Sequence, residues 1–285
     1  MNFFSYFIRA TSMVLLFAAC GLVTSAAMAH TLFIVEETAA DVGTPIVSVV
    51  HNGSVVETET RIQSQFVAQS LVVGPEGSRD VTLDTSAEVA RMSFTPQSEG
   101  TYLLAAATRP RKALQSAEGF AKYMRNEGLI DAQAEREALQ ENDKMAIERY
   151  TKWAKALVFV GNKPTGGYDQ VLGHAAEIVP VSNPAALQAG DVFTAKLYLD
   201  GELQVNKLVY AARAGDASEL MTRTDGNGQF EFTLDRSGIW YFRHISLTRT
   251  GDYEYWYSPV MAWLGAQEER IPYRSEWATL TFNLR

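Results

Sequence analysis

Residues 89–105, VARMSFTPQSEGTYLLA, contain two short apolar stretches separated by a polar segment. In the first stretch apolar and polar residues alternate, which is the pattern of a strand with one buried face. The second stretch enters another strand directly after Gly100. Pro96 and Gly100 interrupt the pattern, as is typical of a turn between strands. Short strands punctuated by Gly and Pro favour a β-sandwich, so this stretch predicts a mainly β fold.

Strand patterns of the same kind occur on both sides of this stretch. They fall at residues 31–35, 46–50, 70–73, 177–181, 192–199, 229–234 and 239–244. Turn residues such as Gly, Pro, Asn and Asp separate most of them. We therefore predict two β-sandwich domains, one at residues 30–108 and one at residues 158–285.

The segment between them, residues 109–157, is rich in charged residues and Ala and poor in Gly and Pro. Ser116 can cap a first helix that runs through Arg125, and Asp131 can cap a second helix over residues 132–140. Asp143 can cap a third helix. Its apolar face would hold residues at helical spacing, namely Ile147, Tyr150, Trp153, Ala154 and Leu157. The segment is interpreted as a helical insertion whose charged residues form a solvated face.

The N-terminus has the features of a secretory signal peptide. Residues 1–29 carry one charge, at Arg9, followed by an apolar run at residues 13–23 and the small pair Ala27 and Ala29. This pattern predicts cleavage after Ala29 and a periplasmic location. The alternatives are a membrane anchor, for which the apolar run is short, and a lipoprotein attached at Cys20.

Composition excludes several classes of function. The net charge of −8 argues against binding to nucleic acid, which needs a basic face. No glycine-rich phosphate loop is present, so no nucleotide is expected. Cys20 is the only cysteine and would leave with the signal peptide, so thiolate ligands and nucleophiles are excluded. No nucleophile motif stands out either, and we expect a protein that is not an enzyme.

Residues 225–228, DGNG, resemble the start of a calcium-binding EF-hand loop. The twelfth position of such a loop needs a carboxylate, but Arg236 stands there, and strands flank the segment instead of helices. The motif is therefore predicted to be a hairpin turn.

Four histidines are the candidate metal ligands: His30, His51, His174 and His244. After cleavage His30 would be the first residue, and its α-amine and imidazole could chelate one metal ion together. Further imidazoles would complete a nitrogen-rich site suited to Ni, Co or Cu. The other three histidines are predicted at strand ends, which meet at one end of a sandwich. The alternative is that each histidine is a separate, hydrogen-bonded structural residue.

A family resemblance rests on several segments together. They are residues 29–35, 100–104, 123–129, 148–158, 173–180 and 224–232. The chain resembles exported bacterial proteins with a domain of unknown function that are described as periplasmic components of cobalt or nickel transport systems. The resemblance implies a C-terminal half of immunoglobulin-like or transthyretin-like fold. It also implies transition-metal binding by His30, His174 and His244, with His51 matching less closely.

Two functions of different classes follow. The first is a periplasmic protein that binds Ni²⁺ or Co²⁺, with Cu²⁺ as a further option, and supports metal uptake with a membrane metal transporter as its partner. The second is an exported β-sandwich that binds no metal and acts as a structural or interaction module. Metal titration of the mature protein separates the two.

Overall fold

The structure is a computed structural model that describes residues 31–36, 41–53, 61–87, 89–162, 165–252, 254–256 and 268–285. The predicted signal peptide and His30 lie outside the described residues. The described part of the chain is mainly β, with several sheets and two short helices, which confirms the predicted fold class.

The N-terminal strands alternate with turns as far as residue 115. They are β1 (Thr31–Glu36), β2 (Ile46–Gly53), β3 (Val67–Gly74), β4 (Gly77–Asp80), β5 (Leu83–Asp84), β6 (Ala90–Phe94), β7 (Gly100–Thr108) and β8 (Arg111–Gln115). Two helices follow, α1 (Ala117–Asn126) and α2 (Ile130–Ala138). A single turn of 3₁₀ helix precedes β3, at Ser64–Phe66.

The remaining strands begin with a long one and end with a longer one. They are β9 (Met145–Val160), β10 (Ala176–Pro180), β11 (Val192–Leu199), β12 (Glu202–Leu203), β13 (Leu208–Arg213), β14 (Leu220–Arg223), β15 (Gln229–Thr233), β16 (Gly238–Arg249), β17 (Glu254–Trp256) and β18 (Glu268–Leu284). A second 3₁₀ turn, Pro184–Ala186, lies between β10 and β11.

One large sheet forms the middle layer of the molecule. Its strand order is β14-β13-β16-β18-β9-β7-β3-β4, with β17 added beside β18 and β8 beside β9. The pairing of β18 with β9 is parallel, and the other pairings in this sheet are antiparallel. The sheet therefore contains strands from both predicted sandwich regions and from the segment between them.

Two smaller sheets cover opposite faces of the middle sheet. The first, called here the N sheet, has the order β1-β2-β6-β5; the second, called the C sheet, contains β10, β11, β12 and β15. Neighbouring residues of β7 enter different cores. Leu104 packs with Ile34 of the N sheet, and Leu103 packs with Phe193 of the C sheet. A strand buried on both faces is apolar throughout, which explains the continuous run at residues 102–107.

The predicted third helix is wrong, because its residues form strand β9. Burial on both faces removes the polar–apolar alternation of a one-sided strand, and the remaining spacing of large residues imitates a helix. Ala154 faces the N-sheet core, whereas Leu157 faces the C-sheet core. The predicted boundary between residues 157 and 158 therefore falls inside a strand.

Of the other two predicted helices, the first is confirmed and the second is shifted. The Ser116 hydroxyl caps α1 by accepting a hydrogen bond of 3.1 Å from the Gly119 amide. Helix α2 begins at Ile130, so Asp131 lies in its first turn and does not cap it. Phe120 of α1 packs on Tyr273 with ring centroids 4.8 Å apart, so the helices close one end of the middle sheet. In the described part of the chain, neither helix has the length and apolar character needed to cross a membrane.

The DGNG segment is a turn, as predicted. The Asp225 carboxylate accepts hydrogen bonds from the amides of Asn227 and Gln229, at 2.8 and 2.9 Å. Gly228 has a φ of +68°, a conformation that favours glycine. The carboxylate is thus used to close the turn before β15.

Candidate functional site

His51 lies in β2, directly opposite Phe33 of β1, and its side chain is half-buried. Thr31, the residue after His30, is the first residue of β1 and pairs with Gly53. Residues related diagonally in such a pair have Cα atoms about 7–8 Å apart, which describes Thr31 and His51. The register therefore brings the residue that follows His30 close to His51.

Strand β1 is attached firmly to the middle sheet. The Thr279 hydroxyl donates a hydrogen bond of 2.7 Å to the Leu32 carbonyl, and the Thr281 hydroxyl donates one to the Ile34 carbonyl. Beside His51, the Lys152 ammonium donates to the Asn52 side-chain oxygen at 2.7 Å. These contacts fix the start of β1 against the middle sheet.

His174 lies immediately before β10 and is buried between the middle sheet and the C sheet. Its Nε2 donates to the Gln69 side-chain oxygen at 2.9 Å, and its ring lies 4.9 Å from the Trp153 ring. Burial lowers the pKa of His174 to about 4, so the ring is neutral at pH 7. Its Nδ1 is buried and has no hydrogen-bond partner among the described residues.

A buried ion pair lies beside His174. The Lys155 ammonium of β9 donates to Glu177 Oε1 of β10 at 2.7 Å, and both side chains are 1% exposed. The Glu177 carboxylate also accepts hydrogen bonds from the amides of Leu172, Gly173 and His174. Burial lowers the pKa of Lys155, an effect opposed by the attraction of Glu177. This arrangement attaches the C sheet to the middle sheet and holds the loop before β10.

His244 lies within β16 rather than at its end, so the predicted strand-end placement is wrong for this residue; β16 continues to Arg249. Its Nδ1 donates to the Leu208 carbonyl at 2.7 Å. Burial lowers the pKa of His244 to about 4, so the ring is neutral and its Nε2 carries a lone pair. The ring lines a cavity of about 120 Å³ between β16, the start of β13 and the α1–α2 connection.

The predicted ligands lie on two faces of the middle sheet. His174 contacts Trp153 on the C-sheet side, and strand alternation places His244 on the same face as Phe242 of the C-sheet core. Thr31 and His51 belong to the N sheet on the opposite face. Among the residues that the structure describes, no group of three or more His, Cys, Asp or Glu side chains could hold a metal ion. His51 lies diagonally across from Thr31, the residue that follows His30 in the sequence.

Sequence reasoning missed the buried Lys155–Glu177 pair. The available signal was a lysine within the apolar run at residues 154–160. A helix face exposed to solvent would not contain so many neighbouring apolar residues. A lysine at a buried strand position needs an acidic partner, which points to the carboxylate of Glu177 in another apolar strand.

Comparisons with known proteins give a family and no activity. Residues 27–246 match the family described as Domain of unknown function (DUF4198). No curated protein matches the chain.

Two solved structures share remote similarity with the chain. One is SGBP-B of the Bacteroides ovatus mixed-linkage glucan utilization locus, in complex with a mixed-linkage heptasaccharide. It is 12% identical, with 90% of this chain and 47% of that chain covered and a TM-score of 0.20. The other comprises domains A168–A170 of titin, 8% identical, with 85% and 59% covered and a TM-score of 0.18. The chain thus spans about half the length of these structures, and likeness at these TM-scores bears on neither fold nor function.

Proposed function

Because the chain belongs to the DUF4198 family, whose description names no activity, we propose a function from its histidines: an exported periplasmic protein that binds a transition metal. The ion is Ni²⁺ or Co²⁺, with Cu²⁺ as a further option. The ligands are the α-amine and imidazole of His30, freed by cleavage after Ala29, and the imidazole of His51. The protein binds the ion and does not act as an enzyme.

The observation that carries this proposal is the pairing of Thr31 with Gly53. It limits the distance between the peptide that follows His30 and His51, since the diagonal Cα separation from Thr31 to His51 is about 7–8 Å. One more residue and two imidazole side chains are long enough to span that distance. Because three nitrogen ligands suit Ni, Cu and Co, the register supports a site at the start of β1.

His174 and His244 take no part in this site. Each is buried on the C-sheet face of the middle sheet and makes a hydrogen bond through one ring nitrogen, with Gln69 and Leu208 respectively. Both rings are neutral at pH 7, because burial lowers each pKa to about 4. The proposed site therefore contains two of the four predicted ligands.

The proposed role is support of metal uptake, with a membrane metal transporter as the partner. The net charge of −8 favours accumulation of cations near the protein surface. Placing the ligands at the N-terminus and in β2 leaves the helices and the C sheet available for other contacts.

Calorimetric titration of mature protein with Ni²⁺, Co²⁺ and Cu²⁺ tests the proposal. We expect one ion per chain and an affinity at least tenfold weaker in His51→Ala. The matched control is His174→Gln with His244→Gln, which removes two imidazoles elsewhere and should leave the affinity unchanged once circular dichroism confirms its fold. Equal affinity in His51→Ala and parent, or no binding by the parent, would refute the site.

An interaction module that binds no metal is the second candidate, and strand β14 favours it. This strand ends the order of the middle sheet, so its outer edge has no partner strand among the described residues. Leu220 and Met221 on it are 50% and 69% exposed. An exposed apolar edge strand is a common docking element. This candidate would be supported if the protein bound none of the three metals and if the Met221→Lys variant no longer bound a partner that the parent binds.

A further inference from the structure

The cavity beside His244 exists because β16 is longer than the strand beside it. Strand β13 pairs with β16 from Arg213↔Trp240 to Tyr210↔Arg243, whereas β18 follows β16 as far as Arg249↔Tyr273. Among the residues that the structure describes, no strand pairs with residues 244–249 on that edge. The α1–α2 connection and the first turn of α2 cover that edge and leave the cavity of about 120 Å³.

Its size fits a small organic molecule. A single water needs about 10–15 Å³ of such space, and a cavity of about 150 Å³ accepts benzene. The walls supply apolar contact, from residues that are buried or half-buried: Leu129, Leu199, Leu208, Ile245 and Leu247. The space is slightly smaller than the one that accepts benzene, so an occupant of about six or seven non-hydrogen atoms would fill it.

His244 determines which hydrogen-bonding group an occupant of the cavity needs. The side chain is 5% exposed, and its Nδ1 bond to the Leu208 carbonyl is the one hydrogen bond that the ring makes in the described part of the chain. A carbonyl only accepts, so Nδ1 carries the proton and Nε2 offers a lone pair. An occupant with an O–H or N–H group would donate to this lone pair inside the cavity that the ring lines.

The charged groups at the rim are already paired. Glu127 Oε2 lies 2.7 Å from Arg243 Nη1, and Asp131 Oδ2 lies 3.4 Å from Lys207 Nζ. The Tyr210 hydroxyl donates to the Glu127 carbonyl at 3.3 Å. Because each of these carboxylates already has a cationic partner, no unpaired charge among the described residues at the rim favours a charged occupant.

We propose that this cavity binds a small neutral molecule with an apolar body and one O–H or N–H group, which donates a hydrogen bond to His244 Nε2. Phenol has this chemistry and size. None of the described residues that line the cavity belongs to β1 or β2, so the site is separate from the proposed metal site. It adds a second binding function to the chain.

The experiment compares phenol with fluorobenzene, a molecule of nearly the same size that cannot donate. Each is titrated into metal-free mature protein labelled with ¹⁵N-histidine, in the presence of EDTA. We expect a saturable shift of the His244 Nε2 resonance with phenol and binding at least tenfold weaker with fluorobenzene. The absence of a saturable shift with phenol would overturn the proposal, as would equal binding of the two probes.

Two tryptophan variants localise the binding. Leu129→Trp fills the cavity from its wall and should abolish the phenol-induced shift. Leu139→Trp places the same side chain at an exposed position that does not line the cavity, and it should bind phenol like the parent. Unchanged phenol binding by folded Leu129→Trp would contradict the assignment. If that variant does not fold, the comparison of phenol with fluorobenzene on the parent protein still tests the proposal. Because the protein is metal-free throughout, failure of metal binding leaves the result interpretable.

Discussion

Lys155 and Glu177 form an ion pair between two layers of the molecule, with Nζ and Oε1 2.7 Å apart and both side chains 1% exposed. The pair joins β9 of the middle sheet to β10 of the C sheet. Three backbone amides before β10 complete the coordination of the carboxylate. A charged pair at this depth is stable only when both partners are present.

Removing one partner should therefore be costly. We expect Lys155→Met to lower the free energy of unfolding by about 3–5 kcal/mol, because it leaves a buried carboxylate without its cation. Lys155→Met combined with Glu177→Gln should lose less than the single variant, since the neutral amide oxygen still accepts from the backbone amides. Chemical denaturation measures both.

The control for that prediction is the exposed pair Lys112–Glu254, with side chains 42% and 41% exposed. Lys112→Met should change the free energy of unfolding by less than about 1 kcal/mol. If Lys155→Met lowers the free energy of unfolding no more than Lys112→Met does, burial of the pair does not increase its contribution to stability.

Replacing Gly128 with alanine should destabilise the protein far more than replacing Gly43, although both glycines have positive φ, +64° and +75°. A Cβ at Gly128 would come within 1.8 Å of the Tyr210 hydroxyl, whereas one at Gly43 would meet nothing within 4 Å. We expect Gly43→Ala to cost about 1 kcal/mol from backbone strain, and Gly128→Ala to cost clearly more. Thermal denaturation compares them.

The double variant Gly128→Ala with Tyr210→Phe separates the steric contact from backbone strain. Removing the hydroxyl should recover most of the extra stability that Gly128→Ala loses compared with Gly43→Ala. If the double variant is as unstable as Gly128→Ala alone, the contact with Tyr210 does not explain the cost.

His174 and His244 should both stay neutral down to about pH 5, because burial lowers each pKa from 6.5 to about 4. A histidine pKa that is lower in the folded state makes the unfolded state bind more protons between pH 6.5 and 4. Stability from each residue is therefore present above pH 6.5 and is lost as the pH falls, by up to about 1.4 kcal/mol per pH unit.

Histidine NMR titration measures these pKa values directly. Denaturation at several pH values adds a second readout, in which His244→Gln should show a shallower loss of stability on acidification than the parent. Protonation of the His244 ring near pH 6.5 in the folded protein would contradict its burial.

The fold was predictable where strands have one solvated face. The alternating residues 229–234 and the turn at Asp225 were assigned correctly, because alternation and turn chemistry are local properties of the sequence. Strand β9 was not, since a strand covered on both faces loses that alternation and shows large residues at helical spacing. Its parallel partner β18 lies more than 100 residues away, and periodicity contains no information on such pairing.

The candidate site rests on residue types that the sequence shows and on a geometry that it does not. Cleavage after Ala29, which would free the α-amine of His30, is a prediction from the sequence alone. The separation of His51 from His174 and His244 depends on which face of the middle sheet each strand covers. That choice is made by the packing of three layers, which no short motif encodes.

The most direct test of the proposed metal site is the contribution of the His30 α-amine. Calorimetry should compare Ni²⁺ binding by protein beginning at His30 with protein beginning at Ser25, which keeps every histidine but moves the free amine five residues away. We predict one Ni²⁺ per chain for the first form and an affinity at least tenfold lower for the second. Equal affinities of the two forms would contradict a site built on the mature N-terminus.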